Sequence, residues 1–278
     1  MDKDFELANK IKIPRIGYGT YKEEASEKTS QIITFAIKNG YSLIDTATRY
    51  GNEKYVGIGI KNSKIKRKDI FITTKLWNDM QGYENAIKSF KNSLKEIGVK
   101  YIDLFLIHWP VVKGEEEKWK EKNLDTWKAF EYLYEKKLVR AIGVSNFEIV
   151  HLENLLKGCK IKPMVNQIEM HPGLNNTDLL QYCKKHNIIV QAYSPLGSGK
   201  IQGNEVLSEI AISHNKSPSQ IALRWCVQKG VIPLPKSTNE GRIKENINIF
   251  DFTLSFKEMK QIDGMKQERF FPDPLLGK

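Results

Sequence analysis

The sequence predicts an α/β chain folded as a (β/α)8 TIM barrel, with a short N-terminal β-hairpin closing the bottom. Three observations carry this. Short apolar runs alternate with amphipathic stretches eight times along the chain, the pattern of parallel strands joined by helices. No flexible or low-complexity linker interrupts the alternation, so residues 1–278 read as one domain. Seven of the eight runs end in polar residues, and a barrel collects its functional groups at that end of its strands.

The elements follow in order. "FELANKIKIP" (5–14) reads as the hairpin. The strands are "RIGYGT" (15–20), "YSLIDT" (41–46), "IFITTK" (70–75), "YIDLFLIH" (101–108), "VRAIGVS" (139–145), "MVNQIEM" (164–170), "IIVQAYS" (188–194) and "VIPLPK" (231–236). Helical stretches include 27–40, 82–98, 124–137, 147–158 and 176–187. Gly40, Gly98, Gly158 and Asn187 stand where helix C-caps are expected. An open dinucleotide-binding sheet would carry G-x-G-x-x-G after its first strand, but Gly17 and Gly19 are followed by Lys22. "SPLGSGKI" fails as a phosphate loop, because Ser194 replaces its first glycine and Ile201 its final hydroxyl residue.

Composition excludes other classes. No apolar stretch approaches the ~18 residues of a membrane span, and the N-terminus has no apolar signal core, so the chain is expected in the cytoplasm. Cys159, Cys183 and Cys226 are an odd number without CxxC spacing and read as reduced thiols. The net charge of +11 is spread along helices that also carry glutamates. The densest basic run (61–69) has no interleaved aromatics, so solvated helix faces are expected rather than a nucleic-acid surface.

"SLIDTATRY" (42–50) puts Asp45 at the end of an apolar run, where a carboxylate is costly unless it is paired. Capping of the next helix is the bland explanation. The other strand ends weaken it: Lys75, His108, Ser145-Asn146, Gln167 with Glu169, Tyr193-Ser194 and Lys236-Ser237 all fall on the same rim. Lys75 and His108 are set in largely apolar contexts, so Asp45 is expected to find a buried cation. Asp45, Tyr50, Lys75 and His108 together suggest acid-base chemistry at a carbonyl, with the ammonium lowering the phenol's pKa from its usual ~10. The five histidines show no metal-ligand spacing, and no metal is expected.

These residues sit in motifs that resemble the aldo-keto reductase superfamily over residues ~13 to ~265: "GYSLIDTATRYGNE", "TTKLW", "YIDLFLIHWP", "AIGVSNF", "PMVNQIEMHP", "AYSPLG" and "IPLPKSTNEGRIKEN". Within that superfamily it is similar to the compact prokaryotic-type members, the diketogluconate and methylglyoxal reductases, and to the protozoal prostaglandin F synthase.

The resemblance implies an NADPH-dependent reductase of small carbonyl compounds, with Asp45, Tyr50, Lys75 and His108 as the catalytic tetrad and Tyr50 as general acid. It implies cofactor contacts from Thr20 and from Ser145, Asn146 and Gln167 at the carboxamide. It places Tyr193 under the nicotinamide and Ser194, Leu196 and Ser198 beside the pyrophosphate. Lys236, Ser237, Thr238, Asn239 and Arg242 match the 2'-phosphate site, with Glu245 and Asn246 near the adenine. Glu240-Gly241 replaces the family's usual Pro-Glu before the arginine. Tyr21, where many relatives carry tryptophan, is expected to line the carbonyl pocket with Trp77, His108 and Trp109. The segment "QERFFPDPLLGK" (267–278) is expected to loop over the mouth. A monomer without membrane or nucleic-acid partners is implied. Reduction of an endoperoxide, or a non-catalytic NADPH-binding scaffold, are the alternatives.

Overall fold

The computed structural model describes residues 4–276. A two-stranded antiparallel hairpin, β1 (Asp4–Glu6) and β2 (Lys12–Pro14), precedes the barrel. The barrel strands are β3 (Tyr18–Gly19), β4 (Leu43–Asp45), β5 (Phe71–Leu76), β6 (Ile102–Ile107), β7 (Val139–Ser145), β8 (Val165–Glu169), β9 (Ile189–Tyr193) and β10 (Val231–Leu234). Their order in the eight-stranded sheet is sequential, and every pairing is parallel. Gly17 N and Gly19 N each donate at 3.0 Å to the carbonyls of Pro233 and Pro235, which ties the first strand to the last. A Cβ at Gly19 would stand 3.1 Å from the Leu234 carbonyl oxygen, a close approach that favours glycine at this seam. The first and last strands are shorter than the stretches 15–20 and 231–236 expected from sequence. Glycine and proline at the seam leave room for only two and four ladder residues.

The helices that follow the strands are α1 (Glu27–Lys38), α2 (Glu53–Ser63), α3 (Tyr83–Ile97), α4 (Trp119–Glu135), α5 (Ile149–Gly158), α6 (Thr177–Lys185), α7 (Glu205–His214), α8 (Pro218–Gln228), α9 (Glu240–Ile247) and α10 (Phe256–Asp263). Gly98 caps α3 in the left-handed region, and Gly40 and Asn187 also take positive φ just past their helices. Gly158 does not act as such a cap. The cap residue after it is Cys159 with extended φ, and a Cβ on Gly158 would lie 2.6 Å from Leu124 Cδ2, so close packing explains this glycine. Helix α2 contains Gly57 and Gly59, which disfavour helix in isolation. Gly59 faces α1 closely enough that a Cβ would meet the Ser30 carbonyl oxygen at 2.8 Å, and packing overrides propensity there.

Period-two alternation sorts the strand residues. One set (Ile44, Ile72, Phe105, Ile142, Val144, Ile168, Val190) packs outward against the helices. The other points into the barrel: Leu43, Phe71, Leu104, Leu106, Ala141, Val165, Ile232 and Leu234 form an apolar plug, joined from below by Leu7 and Ile13 at the hairpin. Above that layer the same inward registers carry Asp45, Lys75, Ser145, Gln167, Gln191 and Tyr193. No helix among the described residues is long and apolar enough to cross a membrane.

Candidate active site

Asp45 is the last residue of β4, and its carbonyl accepts both the backbone N–H and the side-chain hydroxyl of buried Thr20 at 3.0 Å. The chain then makes a one-turn 3-10 helix over Thr48–Tyr50, and Gly51 ends it at φ 68°. That turn brings the Tyr50 ring back above the strand end. Thr48 Oγ1 anchors the turn by donating to the Lys75 carbonyl at 3.1 Å and accepting from Trp77 N at 3.2 Å.

The four candidate catalytic side chains meet. Lys75 Nζ lies 2.6 Å from Asp45 Oδ1, 2.9 Å from the Thr46 carbonyl and 3.3 Å from the Tyr50 hydroxyl. The Lys75–Asp45 pair is almost wholly withdrawn from solvent, with side chains 1% and 6% exposed. His108 presents its ring edge-on to Tyr50 at a centroid distance of 5.8 Å and to Trp77 at 5.1 Å. Asp45 Oδ2 accepts from Gln167 Nε2 at 2.8 Å, so both carboxylate oxygens are satisfied.

The electrostatics correct one expectation. Burial, and after it the Asp45 carboxylate, push the Tyr50 phenol well above its ordinary value instead of below it. Asp45 neutralises Lys75 at 2.6 Å, while the ammonium reaches the phenol only through a longer contact, so the pair offers Tyr50 little net positive charge. Burial also pulls the Lys75 ammonium down, against the upward pull of Asp45. Tyr50 therefore keeps its proton at neutral pH, which suits a donor.

The remaining candidates form two groups. Ser145 Oγ donates to the Gln167 carbonyl (2.8 Å), Asn146 Nδ2 donates to the His108 carbonyl (2.9 Å), and the Tyr193 hydroxyl donates to Asn146 Oδ1 (2.8 Å). Asn146 takes a left-handed backbone (φ 62°), as do Ser194 and Ser198, whose hydroxyls are 3.0 Å apart on the rim beside half-buried Leu196.

Further round the rim, Lys236, Thr238 and Arg242 are exposed, and Asn239 caps α9 by accepting from Arg242 N at 3.0 Å. Lys236 Nζ is 3.3 Å from Glu23 Oε1, and Ser237 Oγ accepts from Asn239 N. Two cations and hydroxyls at a helix start are chemically suited to a phosphate. Asn246 is buried, and Glu245 is engaged away from this group, accepting from Ser217 Oγ at the start of α8. Among the described residues no three His, Cys, Asp or Glu side chains are arranged to hold a metal.

Tyr21 (42% exposed) packs on Tyr50 at 5.2 Å, Trp77 is half-buried under Arg49, and Trp109 is 3% exposed. Of the three, Trp109 offers a substrate the least surface. The tail crosses the mouth as expected, its last two residues lying outside those described. Phe271 packs against Tyr193 (5.2 Å) and Tyr21 (6.3 Å).

Two buried groups at the mouth carry no assigned role in the sequence reading. Glu169 accepts from Phe270 N (2.7 Å) and Phe271 N (3.1 Å) and lies 3.3 Å from His171 Nε2, so it latches the tail. Gln191 Oε1 accepts from Gln167 Nε2 at 2.9 Å. Strand periodicity could have found Gln191, since it shares the inward register of Tyr193, two residues on.

A parallel barrel that joins a buried ammonium–carboxylate pair, a phenol and an imidazole at the C-terminal ends of its strands defines a class of barrel oxidoreductases. Comparison with known proteins places it further: residues 15–267 match the aldo/keto reductase family, and the chain belongs to that family. It is 49% identical to the 9,11-endoperoxide prostaglandin H2 reductase of Trypanosoma cruzi, over 95% of this chain and 91% of that protein. It is also 49% identical to the glyoxal reductase of Bacillus subtilis, over 97% and 95%. Among solved structures, an aldo-keto reductase from a Medee basin deep-sea metagenome superposes with a TM-score of 0.92 at 44% identity, covering 97% of each chain. A Bombyx mori aldo-keto reductase in complex with NADP gives 0.85 at 36% identity, covering 94% and 91%.

Proposed function

We propose that this chain is an NADPH-dependent reductase of aldehydes and ketones, a single-domain monomer of the cytoplasm that takes small carbonyl substrates. When bound, the dihydronicotinamide supplies a hydride to the carbonyl carbon. Tyr50 donates the proton that the developing alkoxide needs. Lys75 orients Tyr50 through the 3.3 Å contact, and Asp45 holds Lys75 in place. His108, edge-on to Tyr50, orients the carbonyl oxygen toward the phenol.

Ser145, Asn146 and Gln167 would hold the carboxamide, and Tyr193 would stack on the nicotinamide. Thr20, Ser194, Leu196 and Ser198 would border the pyrophosphate side. Lys236, Ser237, Thr238, Asn239 and Arg242 would take the 2'-phosphate, which favours NADPH over NADH, with Glu245 and Asn246 near the adenine. Tyr21, Trp77 and Trp109 would line the substrate pocket.

The observation that carries this reading is the single cluster formed by Tyr50, Lys75, Asp45 and His108. Likeness to the Trypanosoma cruzi enzyme supports a second substrate class, an endoperoxide. The test is a steady-state screen of NADPH and NADH consumption against aldehydes, α-dicarbonyls, sugars and a prostaglandin endoperoxide. NADPH-dependent turnover is expected, with Tyr50→Phe lowering kcat by about 10²–10⁴-fold. Tight NADPH binding with no turnover across the panel would instead leave the chain a non-catalytic scaffold.

A further inference from the structure

The carboxylate that supports Lys75 is itself supported from across the barrel. Gln167 Nε2 donates both to Asp45 Oδ2 (2.8 Å) and to Gln191 Oε1 (2.9 Å). Gln167 and Gln191 pair directly in the register of β8 and β9, and both are buried, with 1% and 0% exposed. One hydrogen bond to Asp45 would make Nε2 the donor yet leave the amide plane free to rotate about that contact. A second acceptor sets the plane. With both N–H groups committed, Oε1 is the atom of the Gln167 amide left without a protein donor among the described residues.

We infer that Gln191 is a positioning residue, fixing the plane of the Gln167 amide so that Nε2 supports Asp45 while Oε1 is presented as an acceptor to the cofactor's carboxamide. The inference rests on the proposed NADPH-dependent function. The resulting chain runs from Gln191 Oε1 through Gln167, Asp45 and Lys75 to the Tyr50 hydroxyl. It places the cofactor contact and the support of the proton donor on one amide. Gln191 Nε2 has no hydrogen-bond partner among the described residues, although it is buried.

The test pairs stability with cofactor binding. Gln191→Leu removes the acceptor and the unmatched donor together, and Gln191→Met serves where the leucine variant does not yield folded protein. Gln191→Glu keeps an oxygen facing Gln167. Thermal melts and tryptophan-fluorescence titrations with NADP+ are read for each variant beside the wild type.

The expected result is a leucine variant with an unchanged or raised Tm, a Kd for NADP+ about tenfold weaker, and recovery to within about threefold in the glutamate variant. A leucine variant that binds NADP+ within twofold of the wild type overturns the role of Gln191 while leaving the proposed function standing. Loss of binding in the glutamate variant equal to that in the leucine variant also overturns it. Failure of the wild type itself to bind NADP+ or NADPH removes the functional reading and this inference with it.

Discussion

The two ends of the barrel interior are built from the same strands and the same alternation, yet they are opposite in chemistry. At the bottom, Leu43, Leu104, Leu106, Val165 and Ile232 close over Leu7 and Ile13 with no polar side chain among them. At the mouth, further along the same strands, the inward positions hold a salt bridge, two amides and a phenol. The bottom gains from burying apolar surface, roughly 25 cal/mol per Å². The mouth spends part of that gain on desolvating Asp45 and Lys75, a cost that a buried ion pair seldom recovers in stability. A buried ion pair that is poor for stability, yet has both carboxylate oxygens of Asp45 hydrogen-bonded, is the signature of a working site.

The largest expected effect comes from breaking the mouth. Lys75→Met should lower turnover at least about a hundredfold and cost about 3–5 kcal/mol of unfolding free energy, because Asp45 is left buried and unpaired. The double variant Asp45→Leu/Lys75→Met should recover most of that stability while remaining inactive. Denaturant melts beside steady-state assays check both, and a double variant no more stable than Lys75→Met would contradict the account.

The bottom should behave in the reverse manner. Leu104→Ala is expected to cost about 2–5 kcal/mol through the cavity it leaves, with kcat per folded molecule nearly unchanged. A large drop in kcat at temperatures where the variant is fully folded would erase the distinction between the ends.

A smaller effect comes from a second titratable group on the mouth side. His151, in the first turn of α5, packs between Trp119 and Phe147, and its Nδ1 accepts from Glu148 N at 3.0 Å. Burial holds its pKa down to about 4, against an ordinary 6.5. The folded protein thus binds fewer protons than the unfolded chain between those values. The neutral ring's contribution is complete above pH 6.5 and is lost as pH falls toward 4, amounting to about 3 kcal/mol at most. Unfolding free energies measured from pH 7.5 downward should fall with that slope, and His151→Gln should flatten it.

Much of this was legible in the residues. The eight apolar runs and the rim of polar strand ends follow from the alternation of short apolar runs with amphipathic stretches and from where polarity falls along each run. Asp45, Lys75 and His108 stood out because each interrupts or closes an apolar run, and Tyr50 because it is a phenol five residues beyond Asp45. Other features depend on three-dimensional proximity. The glycines of α2 are explained only by proximity: Gly59 is pressed against α1, and Gly57 against the backbone of Ile97 at the end of α3. The direction of the Tyr50 shift is set first by how deeply the phenol is buried and then by the nearby Asp45 carboxylate, and spacing along the chain reveals neither. Glu169 is visible as a strand-end acid, but its role depends on backbone N–H groups a hundred residues away, and those leave no mark in sequence.

The contact between Asp45 and Gln167 spans the lumen, because β4 and β8 stand on opposite walls of an eight-stranded ring. It acts as a crossbar. Any fluctuation that spreads the staves at this level must snap it, and the same event strips Lys75 of an oriented counter-ion. Amide protons near the tops of β4 and β8 should then trade with solvent deuterium in step, and the molecule cannot loosen its rim without also disarming its acid.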